Sequence, residues 1–106
     1  MASKTAGSFT LASDTAVEIY NQATDGKMHK AVRIVNDAAS VGQIYVVYTV
    51  FRHGVPGIAV LKSGESIPLA PNEDHLITDH IGHIDTITVT REAGKAATLR
   101  FGPVVS

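Results

Sequence analysis

The stretch from Ile44 to Phe51, Ile-Tyr-Val-Val-Tyr-Thr-Val-Phe, constrains the fold of this 106-residue chain more than any other. Every residue in it is apolar, aromatic or β-branched, which favours a strand over a helix. Alternate side chains of a strand point to opposite faces, so this strand has apolar groups to bury on both. The pattern predicts one face with Ile44, Val46, Tyr48 and Val50, and a second face with Tyr45, Val47, Thr49 and Phe51. One face can fill the core of a small sandwich, and we expect the other to be covered by another element or another subunit.

The rest of the chain consists of short runs of alternating polarity separated by turn residues, which is the pattern of an all-β domain. Nine runs are predicted as strands: 9–11, 17–20, 31–35, 44–51, 58–61, 67–69, 76–77, 84–89 and 97–101. The best helix candidate, 12–22, contains several β-branched residues and no sustained helical period. We therefore predict a two-sheet antiparallel sandwich of eight or nine short strands, with a jelly roll as one form of it.

The connections between the runs carry their own turn signals. Asp25-Gly26 is the strongest hairpin-type dipeptide, and 91–95 is predicted to join the last two strands as a polar hairpin loop. The run 67–69 includes a proline and is closely followed by another, which predicts an edge strand or a loop. The chain is predicted to hold a flexible arm (1–8), one β-sandwich domain (9–102) and a short tail (103–106).

Composition excludes several classes of function. Nine Lys and Arg against ten Asp and Glu give a net charge of −1 without any basic run, so we expect no nucleic-acid partner. The start of the chain lacks the apolar stretch of a secretory signal, and no apolar run approaches the roughly 20 residues that span a bilayer. We therefore expect no signal peptide and no membrane partner. The absence of cysteine excludes disulfides.

Possible metal ligands are concentrated in the segment 74–85, which holds three histidines and three aspartates. In a cupin-like alternative, His75, His80 and His83 would bind a divalent metal, because imidazole and carboxylate suit Zn²⁺ or Ni²⁺. The spacing argues against this, since His75 and His80 would face opposite sides of a strand and Gly82 is expected to turn the chain. We therefore predict no metal and no cofactor, and interpret the segment as a solvated strand edge with its turn. A pH-sensitive interface is a further interpretation.

Motifs for catalysis are missing from the sequence. There is no Cys and no Gly-x-Ser-x-Gly nucleophile motif, and Asp and Glu are too scattered to select a glycosidase pair. The segment 54–57 contains a proline where a phosphate loop needs backbone amides. We predict that the protein is not an enzyme.

Aromatic side chains suggest two kinds of contact. Four are candidates for a stacking platform: Tyr20, Tyr45, Tyr48 and Phe51. As an alternative function, a glycan- or receptor-binding module would use Tyr20, predicted to point outward, beside Asn21 and Asp25. Tyrosine is also enriched at protein interfaces, and a subunit contact is the preferred interpretation.

The order of features from 31 to 90 carries a family resemblance. A strand ending in Asn (31–36) is followed by a small-residue loop, an apolar strand (43–47), a Ser-Gly-Glu-Ser turn (63–69) and a Thr/Val strand (85–90). This order resembles small β-sandwich virion proteins of tailed bacteriophages, of the capsid decoration (cement) or head-fibre type. The chain departs from their usual pattern in its longer apolar central strand and its His/Asp-rich segment.

The resemblance implies a virion structural protein that binds the capsid surface and stabilises it through subunit contacts. It implies the major capsid protein or another virion protein as partner, a homo-oligomer, and a place on the capsid surface after synthesis in the host cytoplasm. The pattern of the residues gives the expected contact residues: Tyr45, Val47 and Phe51, with Ser3, Lys4 and Thr5 in the arm.

Overall fold

The computed structural model describes residues 7–25, 28–62, 64–79 and 81–103, and it confirms the predicted all-β sandwich. Nine strands and a single-turn helix are present in these ranges. In chain order they are β1 (Gly7–Leu11), β2 (Val17–Asn21), α1 (Gln22–Asp25), β3 (Ala31–Asn36), β4 (Ile44–Arg52), β5 (Val55–Ala59), β6 (Ile67–Leu69), β7 (Asp74–Thr78), β8 (His83–Arg91) and β9 (Ala97–Pro103). The first strand begins two residues inside the segment predicted as an arm.

Two antiparallel sheets face each other. The four-stranded sheet has the order β1-β9-β3-β7, and the five-stranded sheet has the order β2-β8-β4-β5 with β6 also paired to β4. Because β8 pairs along one edge of β4, β5 and β6 share its other edge and act as one interrupted strand. With β5 and β6 counted as one, the first strand pairs with the last, the second with the second to last, and so on inward. This nested pairing is a jelly roll.

The jelly roll corrects both predicted hairpins. β2 lies in the five-stranded sheet and β3 in the four-stranded sheet, so the connection between them crosses between the sheets and is not a hairpin. The segment 91–95 crosses in the same way from β8 to β9. In a jelly roll the pairing is set by long-range packing of the two sheets, which outweighs the local turn signal of a dipeptide.

A true hairpin joins β4 and β5. His53 and Gly54 have φ angles of 52° and 76°, and Arg52 pairs directly with Val55. Positive φ at both central residues is the geometry of a two-residue type I′ turn. The fifth strand therefore starts three residues earlier than predicted, and Pro56 is accommodated because β5 is an edge strand.

Apolar side chains from both sheets fill the space between them. The inner face of β4 is as predicted, with Ile44, Val46 and Val50 fully buried and Tyr48 packed partly against the core. The remaining fully buried large side chains are Leu11, Ile19, Tyr20, Val32, Ile34, Ile77, Ile84, Ile87 and Leu99. The interior of the sandwich is thus occupied by the protein's own side chains.

Tyr20 faces the core, and the prediction that it points outward was wrong. The pairing of β2 with β8 shifts register between Glu18 and Tyr20, which places one extra residue, Ile19, on β2. A β-bulge of this kind lets two consecutive side chains point to the same face. Ile19 and Tyr20 are accordingly both buried, and Tyr20 is only 1% exposed.

Asn36, at the end of β3, hydrogen-bonds to two other segments at one end of the sandwich. It is fully buried, and its Nδ2 donates to the carbonyl oxygens of Gly42 and Leu69 at 3.1 and 2.9 Å. We expect Asn36→Ala to lower the free energy of unfolding by about 2 kcal/mol, because both carbonyls lose their buried donor. Urea denaturation measures this change. A loss below about 0.5 kcal/mol would show that water replaces the amide there.

Candidate functional site

The outer face of the five-stranded sheet carries an open groove of about 450 Å³, here called the β4 groove. Tyr45, Val47 and Thr49 of β4 and Thr90 of β8 line its floor. Tyr45 lies directly opposite Thr90 in the register of β4 and β8, so the two side chains share the outer face. Val47 is 41% exposed and lies near the middle of β4.

One wall of the β4 groove comes from the segment 60–66, which interrupts the strand formed by β5 and β6. Lys62 and Glu65 close a tight turn there: the Glu65 amide donates to the Lys62 carbonyl, and the Lys62 amide donates to Glu65 Oε1. Gly64 supplies the positive φ of 81° that this turn requires. Leu61 adds an apolar side chain to the wall. The groove therefore exists because the edge strand is interrupted opposite the middle of β4.

Threonine side chains lie on the outer face of the sheet, and two of them, Thr49 and Thr90, line the groove. Thr86, Thr88 and Thr90 alternate along β8 with the buried Ile87 and Val89, so all three point outward. The Thr49 and Thr86 hydroxyls lie 2.6 Å apart and form a hydrogen bond. A small apolar centre bordered by hydroxyls is the composition of a protein–protein contact of ordinary polarity.

The structure brings together two of the predicted contact residues and separates the third. Tyr45 and Val47 line the β4 groove, whereas Phe51 lies outside it, nearer the end of β4. The Phe51 ring stacks on His83, with 4.8 Å between the ring centroids and an interplanar angle of 17°. One face of the Phe51 ring is therefore covered by His83. The predicted arm residues Ser3, Lys4 and Thr5 lie outside the described residues.

The candidate metal ligands are spread over both sheets. His75 lies on β7 in the four-stranded sheet, opposite Ile34, and His83 begins β8 in the five-stranded sheet. His80 lies outside the described residues. Across the described ranges, no three His, Cys, Asp or Glu side chains are grouped closely enough to hold a metal ion.

The aspartates of the segment 74–85 bind groups of the protein itself. Asp79 accepts hydrogen bonds from Arg52 and from the Gly82 amide, and Asp85 accepts from the Gly57 amide at 2.7 Å and from Gln22. Asp79 and Asp85 are both buried, so the interpretation as a solvated strand edge was wrong for them. The hydrogen bonds from Arg52 hold the pKa of Asp79 below its usual value.

The predicted glycan site lacks an exposed aromatic ring. Tyr20 is buried by the bulge in β2, and a sugar cannot stack on it without opening the core. The Asn21 side chain hydrogen-bonds to neighbouring residues of its own chain: its Nδ2 donates to Glu18, and its Oδ1 accepts from the Ala23 amide at the start of α1. The Asp25 side chain lies outside what the structure describes. Leu61 and Thr90 are among the groove residues that sequence reasoning missed. Leu61 reaches the groove only because β5 and β6 pair with the same strand, and Thr90 only because β8 pairs with β4, and neither pairing has a local signal in the sequence.

No protein-family model matches the sequence, and a search of curated proteins finds no match. In the ranges that the structure describes, no helix is long and apolar enough to cross a membrane. The candidate function therefore rests on the residues of the β4 groove.

Proposed function

We propose that this chain is a non-enzymatic structural protein that docks onto a partner protein through the β4 groove. In its specific form, the proposal is a decoration (cement) protein on the capsid of a tailed bacteriophage, with the major capsid protein or another virion protein as partner. The observation that carries it is Val47, an exposed apolar side chain at the centre of an open groove on the longest apolar strand. The family resemblance of residues 31–90 supplies the virion context.

The geometry of the groove supports a protein partner. Tyr45 and Val47 provide an apolar centre, and Thr49 and Thr90 provide hydroxyls at its border. An apolar side chain of the partner that enters the groove removes surface from water at about 25 cal/mol per Å² before association costs are subtracted. A modest contact of this kind is sufficient on a capsid, because many symmetric copies contribute to its stability.

The described residues support the two alternative functions less well. The glycan-binding alternative requires an exposed Tyr20, and this ring is buried. The cupin-like alternative requires His75 and His83 around one metal, and they lie on different sheets. The space between the sheets, where a cupin-like site would lie, is filled by apolar side chains.

Co-sedimentation of purified protein with capsids that lack it tests the proposal. We expect the wild-type protein to saturate the capsids and Val47→Asp to bind at least about tenfold more weakly, because a carboxylate at the contact centre loses its water without gaining a partner. Val41→Asp is the matched control, since it adds the same charge at an exposed valine in the loop before β4.

The fold of both variants is checked by thermal unfolding, and each is expected to melt close to the wild-type temperature. Equal binding of Val47→Asp and wild type would remove the β4 groove from the contact. Failure of the wild-type protein to bind the capsids of the phage that encodes it would remove the virion proposal.

A further inference from the structure

The four sheet edges of the sandwich are not equally protected against pairing with another chain. Exposed strand edges are normally blocked by charged side chains, prolines or bulges. The β2 edge carries Glu18 and a bulge, the interrupted edge carries Pro56 and Pro68, and the β7 edge begins with Asp74. The β1 edge, Gly7–Leu11, has no charged residue, no proline and no bulge in the residues described.

We propose that β1 is a self-association edge, on which β1 of a second copy of this chain pairs in antiparallel fashion about a two-fold axis. This joins two four-stranded sheets into one continuous eight-stranded sheet. The inference does not depend on capsid binding. It gives the expected homo-oligomer a specific interface.

The side chains of β1 suit pairing with themselves. Centred on Phe9, an antiparallel register places Ser8 of each copy opposite Thr10 of the other and brings no like charges together. The Thr10 hydroxyl already lies 3.2 Å from that of Thr98 on the neighbouring strand, so the new pairs extend an existing row of hydroxyls. Cross-strand hydroxyl pairs of this kind stabilise antiparallel strands.

Phe9 gives the second copy an apolar contact at the axis. It is half-buried, packs against the core and pairs with Leu99 of β9. No strand of the described ranges pairs with the other side of β1, so in the proposed dimer the Phe9 ring meets the equivalent ring across the two-fold axis. Aromatic pairs across neighbouring strands add to the pairing energy.

The size of the interface sets the expected affinity. Five residues of paired edge bury far less than the roughly 1,200 Å² of a stable protein interface, so the dimer is expected to be reversible with a Kd of about 10–500 μM. The β4 groove lies on the other sheet and stays uncovered in the dimer. Each dimer therefore presents two docking grooves, which raises its avidity for a repetitive surface.

Sedimentation equilibrium of the purified full chain, from about 10 μM to 1 mM, tests this inference. We expect the mean mass of the wild-type protein to rise from monomer towards dimer across this range. Thr10→Lys places a charge on the exposed side of the edge strand and is expected to keep the protein monomeric. Thr15→Lys adds the same charge in an exposed loop and is expected to dimerise like the wild type.

Hydrogen exchange provides a readout specific to the strand. Slower exchange of β1 amides at high than at low protein concentration supports pairing through this edge. A wild-type protein that remains monomeric at 1 mM overturns the inference. So does a Thr10→Lys variant that dimerises as strongly as the wild type, or a concentration-dependent protection found on another edge strand.

Discussion

Gly82→Ala is expected to lower the free energy of unfolding by at least about 3 kcal/mol, because no space exists for the added methyl group. A Cβ at position 82 would lie 1.9 Å from the Phe51 carbonyl oxygen, 3.0 Å from its carbonyl carbon and 3.3 Å from the Arg52 Cα. These are all backbone atoms, and a side-chain rotation cannot relieve the clash. The loop before β8 must therefore move away from β4.

The displacement caused by Gly82→Ala would also disturb the groups around it. The Gly82 amide donates to Asp79 Oδ2 at 2.8 Å, and its carbonyl accepts from the Lys30 ammonium at 3.1 Å. Gly54→Ala is the matched control, because an added Cβ there meets nothing within 4 Å and the substitution carries only the strain of φ 76°. We expect that control to cost about 1 kcal/mol.

Urea denaturation of the two variants and the wild type measures the difference. The account predicts a loss for Gly82→Ala that is at least twice that for Gly54→Ala. Equal losses for the two variants would contradict the close contact between the 81–82 loop and the end of β4.

Asp79→Ala is expected to lower the free energy of unfolding by about 3 kcal/mol. The Asp79 side chain is only 1% exposed and accepts hydrogen bonds from Arg52, including one from Nε at 3.0 Å, and from the Gly82 amide. Removing the carboxylate leaves the Arg52 guanidinium, partly covered by protein, without its counter-ion. Asp74→Ala is the control, because the Arg33–Asp74 pair is about half exposed on both sides and such pairs contribute less than about 1 kcal/mol.

The same carboxylate makes stability depend on pH. Hydrogen bonds from Arg52 lower the pKa of Asp79 in the folded state, whereas in the unfolded chain the pKa of this carboxyl is about 3.9. A lowered folded-state pKa contributes stability that is present above the unfolded pKa and is lost as the pH falls through the folded pKa. The difference in stability between wild type and Asp79→Asn is therefore expected to be constant from pH 7 to 5 and to shrink below about pH 4.

Measuring that difference by urea denaturation at each pH isolates Asp79 from other carboxylates. The pKa values of Asp14 and Glu92 are also lowered, by hydrogen bonds from the Gly94 and Gln43 amides first of all, but both residues are present in each protein and their contributions cancel. A difference that does not change between pH 7 and pH 3 would show that the Arg52–Asp79 pair does not stabilise the charged form.

Local periodicity was sufficient to predict the strands but not their partners. The alternation of Ile44, Val46 and Val50 with outward residues follows from burial on one face, and the structure confirms it. Tyr20 does not follow this alternation, because a bulge in β2 turns its side chain to the buried face. Nothing in the neighbouring residues marks the bulge. The hairpin signal of Asp25-Gly26 failed because β2 pairs with β8 in one sheet, whereas β3 pairs with β7 and β9 in the other.

The candidate site was predictable in its floor and not in its wall. Tyr45 and Val47 followed from the apolar second face of β4. The wall depends on β5 and β6 pairing with the same strand on either side of 60–66, a long-range property that no local pattern records. Phe51 lies outside the groove, near the end of β4, and its contact with His83 depends on the pairing of β4 with β8, which no local pattern records.

Electron cryomicroscopy of capsids saturated with this protein tests the central claim most directly. The account predicts that each bound copy contacts the capsid through the outer face of its five-stranded sheet, with Tyr45 and Val47 covered by capsid residues. Bound copies that leave Tyr45 and Val47 facing solvent, with the contact made by another surface, would contradict it.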